Sequence, residues 1–372
     1  MPGTTVRQTV LTRAKRIVVK IGTSAITDEA GRLDPRAVKR LAGQIADVTA
    51  SGVSVTLVAS GAIGAGMGEL DLPERPRTLP MLQAVAAVGQ GQLMRAFHDA
   101  LVKRNLRVAQ VLLTRGDFED RTRYLNIRNT LRALHEMGAL PILNENDAVA
   151  VDELRFGDND IIAAHVTNMQ AADVLVLLST IDGVYDGDTL LDVIERVDGE
   201  TLSLATGAKS RLGSGGMGSK LTAAGMVTRA GEAAVIANAH IPNVLKKLLA
   251  GENIGTVFVP AKRKLSSRRR WIGQTARTAG QIIVDAGAVA ALTKRGKSLL
   301  PSGIRLVRGT FEKGATVAVL DETGAEIARG LTNYSAEQLQ AIRGLKTSQI
   351  AKALGDKPYD EAIHRNNMTL ST

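Results

Sequence analysis

The chain has 372 residues, 44% hydrophobic and 23% charged, a balance that excludes a disordered chain and leaves enough apolar material for a sizeable core. At roughly 150 residues per domain the length suits two domains, or one large domain with an appendage. There is no cysteine, which excludes disulfides, thiolate metal sites and a cysteine nucleophile, and the formal net charge is +10.

The first sixteen residues, MPGTTVRQTVLTRAKR, are basic and lack the apolar centre of a signal peptide. They read as a ragged tail, with a transit segment as the other reading. No apolar run approaches the ~18 residues of a spanning helix, so the chain is expected to be cytoplasmic, away from membranes. Short β-branched runs then alternate with longer amphipathic stretches. Strands are expected at 16–21, 53–59, 107–113, 139–143, 173–178 and 233–237. Helices are expected at about 34–50, 80–104, 121–137, 158–170 and 217–231. The strands are near-continuous apolar runs, as in sheets covered on both faces. The pattern predicts a three-layer α/β/α sandwich with a mostly parallel central sheet, binding ligands beyond the carboxyl ends of its strands.

The charge changes abruptly near residue 260. Residues 1–260 hold 28 Lys+Arg and 28 Asp+Glu, so the last 112 residues hold 19 and 9 and carry the entire excess. This step places a large α/β domain at 1–260, a basic linker at 261–278 around KRKLSSRRR, and a small β-rich domain at 279–372. In that last domain QIIVDAG, IRLVRG, ATVAVLD and EIARGL read as strands, with minor helices near 287–294 and 335–343. The basic tail fits a polyanion partner such as RNA, or equally a solvated face that aids solubility or subunit contact.

Five stretches carry candidate chemistry. In VVKIGTS a strand delivers Lys20 and turns through Gly22, where small residues let backbone amides approach an anion. In VASGAIGAGMG a strand ends at Ser60, and Gly61, Gly64, Gly66 and Gly68 follow. Its spacing is neither a Walker loop nor a dinucleotide fingerprint, and tight packing competes with ligand binding as its explanation. NENDAV and FGDND supply Asn144, Asp147, Asp158, Asn159 and Asp160, short polar groups suited to the ammonium and carboxylate of an amino acid; Asp158 is also a plausible helix cap. STIDGVYDGD offers a polar loop after a buried strand, beginning at Ser179 and Thr180. GSGGMGSK sets Gly213, Gly215, Gly216, Met217, Gly218 and Ser219 before Lys220, an anion nest opening a helix. The five histidines have no metal-ligand spacing. Two lysines beside glycine turns suit phosphoryl transfer, which needs positive charge and in-line placement more than covalent help.

The ordered set VVKIGTS, VASGAIGAG, NENDAV, RFGDNDIIAA and GSGGMGSK resembles the glutamate 5-kinases of the amino-acid kinase family. GQIIVDAGAVAAL, GKSLLPSGI and GLTNYSAEQL resemble the PUA domain appended to many bacterial members. The resemblance implies ATP-dependent phosphorylation of the L-glutamate γ-carboxylate, the first step of proline synthesis, with feedback inhibition by proline. It implies Lys20, Lys220 and Asp160 as catalytic residues and Ser60, Asp147 and Asn159 as glutamate contacts. Its nucleotide contacts would be Lys20, Gly22, Ser179, Thr180, Gly215, Gly216, Met217, Gly218, Ser219 and Lys220. ATP would be a substrate, with Mg²⁺ held by its phosphates and water rather than by a carboxylate cage. A dimer or tetramer and a functional link to glutamyl phosphate reductase are also implied. Many relatives have an aspartate where this chain has Thr180. Another amino-acid kinase, acting on acetylglutamate or aspartate, and an RNA-binding protein acting through the basic tail are the competing readings.

Overall fold

A computed structural model describes residues 2–150, 159–207 and 216–371. The chain divides into two compact units, Met1–Asp117 with Thr122–Lys264, and Phe118–Arg121 with Leu265–Thr372.

The first unit is built on one eight-stranded sheet. Its strands are β1 (Arg16–Ile21), β2 (Ser54–Ala59), β3 (Arg107–Leu113), β4 (Ala139–Glu145), β5 (Val174–Ser179), β6 (Val193–Ile194), β7 (Ala233–Asn238) and β8 (Thr256–Phe258). They lie in the order β3-β4-β2-β1-β5-β7-β8-β6, and only the β7–β8 pair is antiparallel. Six of these strands match the sequence expectation. The short strands β6, at the sheet edge, and β8, beside it, were not expected, being too short to show a period.

Helices cover both faces. They are α1 (Pro2–Leu11), α2 (Pro35–Ala50), α3 (Ala62–Glu69), α4 (Leu79–Val102), α5 (Arg121–Glu136), α6 (Asn159–Gln170), α7 (Met217–Ala230) and α8 (Val244–Leu249). Helix α2 starts where Asp34 accepts from the Arg36 amide and Pro35 occupies the first turn, whose amide needs no partner. Ile17, Val19 and Ile21 of β1 enter the aliphatic core beneath α2, α4 and α8. Strand alternation sends Val18 and Lys20 to the opposite face, against which α6 packs. That alternation is what puts a lysine, rather than another aliphatic, under α6.

The N-terminal segment expected as a ragged tail is instead helix α1. Arg7 is 1% exposed and donates to the carbonyls of Asp192, Ile254 and Gly255 at 3.0, 2.5 and 2.8 Å. One guanidinium thus gathers a cluster of backbone acceptors, a role invisible in local composition. No helix among the described residues is long and apolar enough to cross a membrane.

The second unit holds a five-stranded sheet of β9 (Gly280–Val284), β10 (Ile304–Arg308), β11 (Thr316–Leu320), β12 (Glu326–Leu331) and β13 (Met368–Leu370), in the order β10-β9-β11-β12-β13. Its own core includes Ile282, Val319, Tyr334 and Ile363. The basic run at 262–270 enters a helix, Ser267–Gln274, in which Trp271 and Ile272 are buried.

Candidate active site

The carboxyl ends of β2, β1 and β5 are neighbours, and the candidate residues of the first unit gather there. Lys20 lies near the end of β1, in register with Val58 of β2 and Leu177 of β5. Asp160 is in the first turn of α6 and Lys220 in the first turn of α7. Lys20 Nζ is 2.6 Å from Asp160 Oδ1, and Lys220 Nζ is 3.0 Å from Asp160 Oδ2. The exposures are 4% for Lys20, 0% for Asp160 and 5% for Lys220. Burial pushes the Asp160 carboxyl up, but the two ammonium groups outweigh it and hold the carboxyl below its usual range. With Asp160 ionised, the three side chains carry a net charge of +1, held rigidly and shielded from water.

Ser219 Oγ is 3.2 Å from Asp160 Oδ2 and 2.9 Å from the Gly216 carbonyl. Its hydroxyl therefore faces the carboxylate and helix start rather than open space. Gly216 caps α7 in an extended conformation, and a Cβ there would meet nothing within 4 Å. Met217 and Gly218 follow as the first helical residues, so this helix start offers unbonded amides beside Lys220. Gly22 donates its amide to the Leu178 carbonyl at 3.2 Å, and a Cβ on it would stand 3.8 Å from Lys20 Nζ. Ser179 ends β5, and its carbonyl accepts from the Ala239 amide at 2.7 Å, while Thr180 is exposed. Asp182 is held by Asn238 Nδ2 at 2.9 Å. Gly215, Gly213 and Asp158 lie outside the described residues.

A second polar cluster adjoins the first through consecutive residues of α6. Asn159 donates from Nδ2 to Ser60 Oγ at 2.8 Å and to Asn144 Oδ1 at 2.9 Å. Asn144 in turn donates to Gln90 Oε1 at 2.8 Å. Asp147 stands half-buried in the turn after β4. Burial pushes its carboxyl up to about 6, with the Arg75 charge pulling the other way. Among the described residues, no group of three or more His, Asp or Glu side chains could hold a metal ion.

Two of the four glycines after Ser60, Gly64 and Gly66, have a packing task. A Cβ on Gly66 would fall 1.9 Å from the Val85 carbonyl oxygen, and one on Gly89 would fall 1.8 Å from that of Ala62. Helices α3 and α4 touch backbone to backbone there. Gly61 differs: its φ of 107° makes the turn that leads from Ser60 into α3. Gln90 and Arg75 were not among the expected site residues. The only sequence signal for Gln90 is a polar residue between two glycines on an otherwise apolar helix face.

Residues 15–238 match the Amino acid kinase family and residues 280–354 match the PUA domain. Glutamate 5-kinase of Caldanaerobacter subterraneus subsp. tengcongensis is 47% identical over 362 residues, covering 95% of this chain and 97% of its own. Glutamate 5-kinase of Citrifermentans bemidjiense is 46% identical over 371 residues, covering 98% of this chain and 100% of its own. Glutamate 5-kinase of Moorella thermoacetica is 46% identical over 365 residues, covering 96% and 97%.

Proposed function

The chain belongs to the glutamate 5-kinase family within the amino acid kinases, and from that premise we propose that it transfers the γ-phosphoryl group of MgATP to the γ-carboxylate of L-glutamate. One observation carries the reading: a single buried aspartate holds two lysines within 3.0 Å, one residue along the same helix from an asparagine bonded to Ser60.

The γ-carboxylate is already an anion and needs no general base. One of its oxygens forms a bond to the γ-phosphorus as the bond to the ADP oxygen breaks. Lys20 and Lys220 neutralise the equatorial charge of the moving group, and Asp160 fixes both ammonium positions before the reaction begins. The amides that open α7 at Met217 and Gly218 take the nucleotide phosphates, with Gly216 leaving the approach clear. Mg²⁺ arrives with the nucleotide. Ser60 and Asn159 meet the glutamate, and Asp147 takes its α-ammonium. Ser179 and Thr180 border the nucleotide at the end of β5. The product is an acyl phosphate, which hydrolyses readily and suits immediate reduction in proline synthesis. Proline shares the α-carboxylate and amine of glutamate and is expected to compete for the same groups.

The test is ATP- and glutamate-dependent hydroxamate formation with hydroxylamine as trap, with and without proline. A signal that requires L-glutamate and falls with proline supports both parts. A signal with aspartate or acetylglutamate, and none with glutamate, would overturn the substrate.

A further inference from the structure

A cleft of about 740 Å³ opens in the first unit among α2, α3, α4 and the turn that precedes α2, and neither Lys20, Asp160 nor Lys220 lines it. Its floor is apolar, with Leu33, Ala65, Ala96 and Ala100. The alanines are too short to fill the space beside α2, so a hollow stands where larger side chains would make a packed contact. The walls are held by the backbone. The Asp28 amide donates to the Arg32 carbonyl at 2.8 Å, and the Arg32 amide donates to Asp28 Oδ1 at 2.9 Å, which closes the turn. A Cβ on Gly64 would fall 2.3 Å from the Gly31 carbonyl oxygen, so this turn lies directly on α3. The cleft is therefore preformed, and its volume is within the range of small-molecule sites.

The charge around this hollow is mostly positive. Arg32, Lys39, Arg95, Lys103 and Arg104 stand against Asp28, Glu69 and Asp99. Two of the cations are engaged, Arg95 with Asp99 at 3.9 Å and Arg104 with Asp47. Among the described residues, the side chains of Arg32, Lys39 and Lys103 make no ion pair or hydrogen bond. They come from the turn, from α2 and from α4, so tertiary packing and not a local motif brings them to one cleft. Of the acids, Asp28 already accepts from the turn and Asp99 faces Arg95, which leaves Glu69 against three free cations. We infer that this cleft is a binding site for a small organic phosphate, separate from the site of phosphoryl transfer. A phosphate group carries the multiple charge that several cations around one hollow match. Lysines meet it as point charges, and the planar guanidinium of Arg32 can take two of its oxygens at once. The organic body of the ligand lies on the alanine floor. A lone carboxylate would leave most of this positive charge unmatched.

Calorimetric titration of the full chain with AMP and with fructose 1,6-bisphosphate tests the assignment and separates a nucleotide from a sugar phosphate as the source. Three variants locate the binding. Lys39→Glu combined with Lys103→Glu reverses two of the free charges. Ala100→Phe fills the floor and keeps every charge. Lys20→Ala disables the proposed transfer site and leaves the cleft whole. At least one probe is expected to saturate the parent chain with Kd below about 1 mM and to bind Lys20→Ala within about twofold of the parent. The same probe is expected to lose about tenfold or more in affinity in each cleft variant, and to bind less tightly as salt is raised. The inference is overturned when neither probe behaves in this way: when neither saturates the parent chain, or when the binding seen is lost in Lys20→Ala or kept in the cleft variants. Should Ala100→Phe fail to fold, the charge variant alone decides, since Lys39 and Lys103 are both exposed. The readout is binding without turnover, so it stands or falls separately from the glutamate reading.

Discussion

Lys20 and Lys220 come from strands and helices 200 residues apart in sequence, yet they bind the two oxygens of one carboxylate, Asp160, at 2.6 and 3.0 Å. A buried carboxylate between two lysines costs desolvation that their attraction repays only when all three stay together. Removing either lysine withdraws a charge from the transferring phosphoryl group and leaves Asp160 with one cation. Lys20→Ala and Lys220→Ala are each expected to lower kcat on the order of 10²-fold or more, by analogy with other lost transition-state donors. Asp160→Asn should also impair turnover, because it removes the carboxylate that both ammonium groups share. Single-turnover phosphoryl transfer checks all three, and near-normal rates in both lysine variants would remove these residues from the mechanism.

Much of this site was legible because its residues follow strands or open helices, where sequence signals are strongest. The apolar run ending at Lys20 predicts a covered strand. Its odd residues fill the core while Lys20 faces α6, a consequence of period two. Asp160 and Lys220 each lie in the first turn of a predicted helix. What the sequence could not show was long-range partnering. Gln90 has no motif of its own and gains meaning only from Asn144, 54 residues away. Arg7 likewise finds its carbonyls about 185 to 248 residues downstream. The glycines after Ser60 illustrate the converse. Composition left ligand approach and close packing equally open, and the backbone distances assign Gly66 to packing and Gly61 to the turn.

Asp147 gives a pH dependence with a definite sign. Its carboxyl titrates at about 6 instead of 3.8, chiefly because it is desolvated. Between about pH 4 and 6 the folded, ligand-free chain holds a proton here that the unfolded chain has lost. This group's contribution to stability is therefore fully present below about pH 4 and is lost as pH rises through 6. Glutamate binding runs the other way. The ionised carboxylate is the form that takes an ammonium, so KM for glutamate should rise as pH falls below about 6, by up to about tenfold per unit. Asp147→Asn should flatten that profile at a high KM. A KM that is level from pH 5 to 8 in the unsubstituted chain would separate Asp147 from substrate binding.

The contact between α3 and α4 predicts contrasting effects for two glycines of one helix. In Gly89→Ala the added Cβ would lie 1.8 Å from the Ala62 carbonyl oxygen and 2.2 Å from the Gly66 nitrogen, so α3 must move. Backbone atoms cannot swing aside, and α3 carries Ser60 just before its first turn. Gly89→Ala should destabilise the chain by about 1–3 kcal/mol or more and weaken glutamate binding as well. Gly91→Ala adds a Cβ that meets nothing within 4 Å, on an exposed helical position. It should stabilise by up to about 1 kcal/mol through helix propensity alone and leave kinetics unchanged. Denaturant titration of the two variants side by side checks the contrast.

Arg7 makes the N-terminal helix part of the fold. Its guanidinium is fully buried and reaches the carbonyls of Asp192, Ile254 and Gly255, beside the short strand β6 at the sheet edge and its neighbour β8. Those strands have two and three residues, too few to hold the sheet edge by their own ladder bonds. Arg7→Met keeps an unbranched apolar stem but leaves these three carbonyls, one of them buried, without this donor. It should cost about 2–3 kcal/mol, in the range for hydrogen bonds made by a charged group. The loss should appear first as faster amide exchange at Val257 and Phe258, with exchange in β1 and β5 unchanged under conditions where exchange proceeds by local opening. Because Arg7 belongs to neither cluster of the candidate site, KM for glutamate and kcat measured well below the melting temperature should match those of the unsubstituted chain. Full protection of β8 in Arg7→Met would mean that this side of the sheet is held without Arg7.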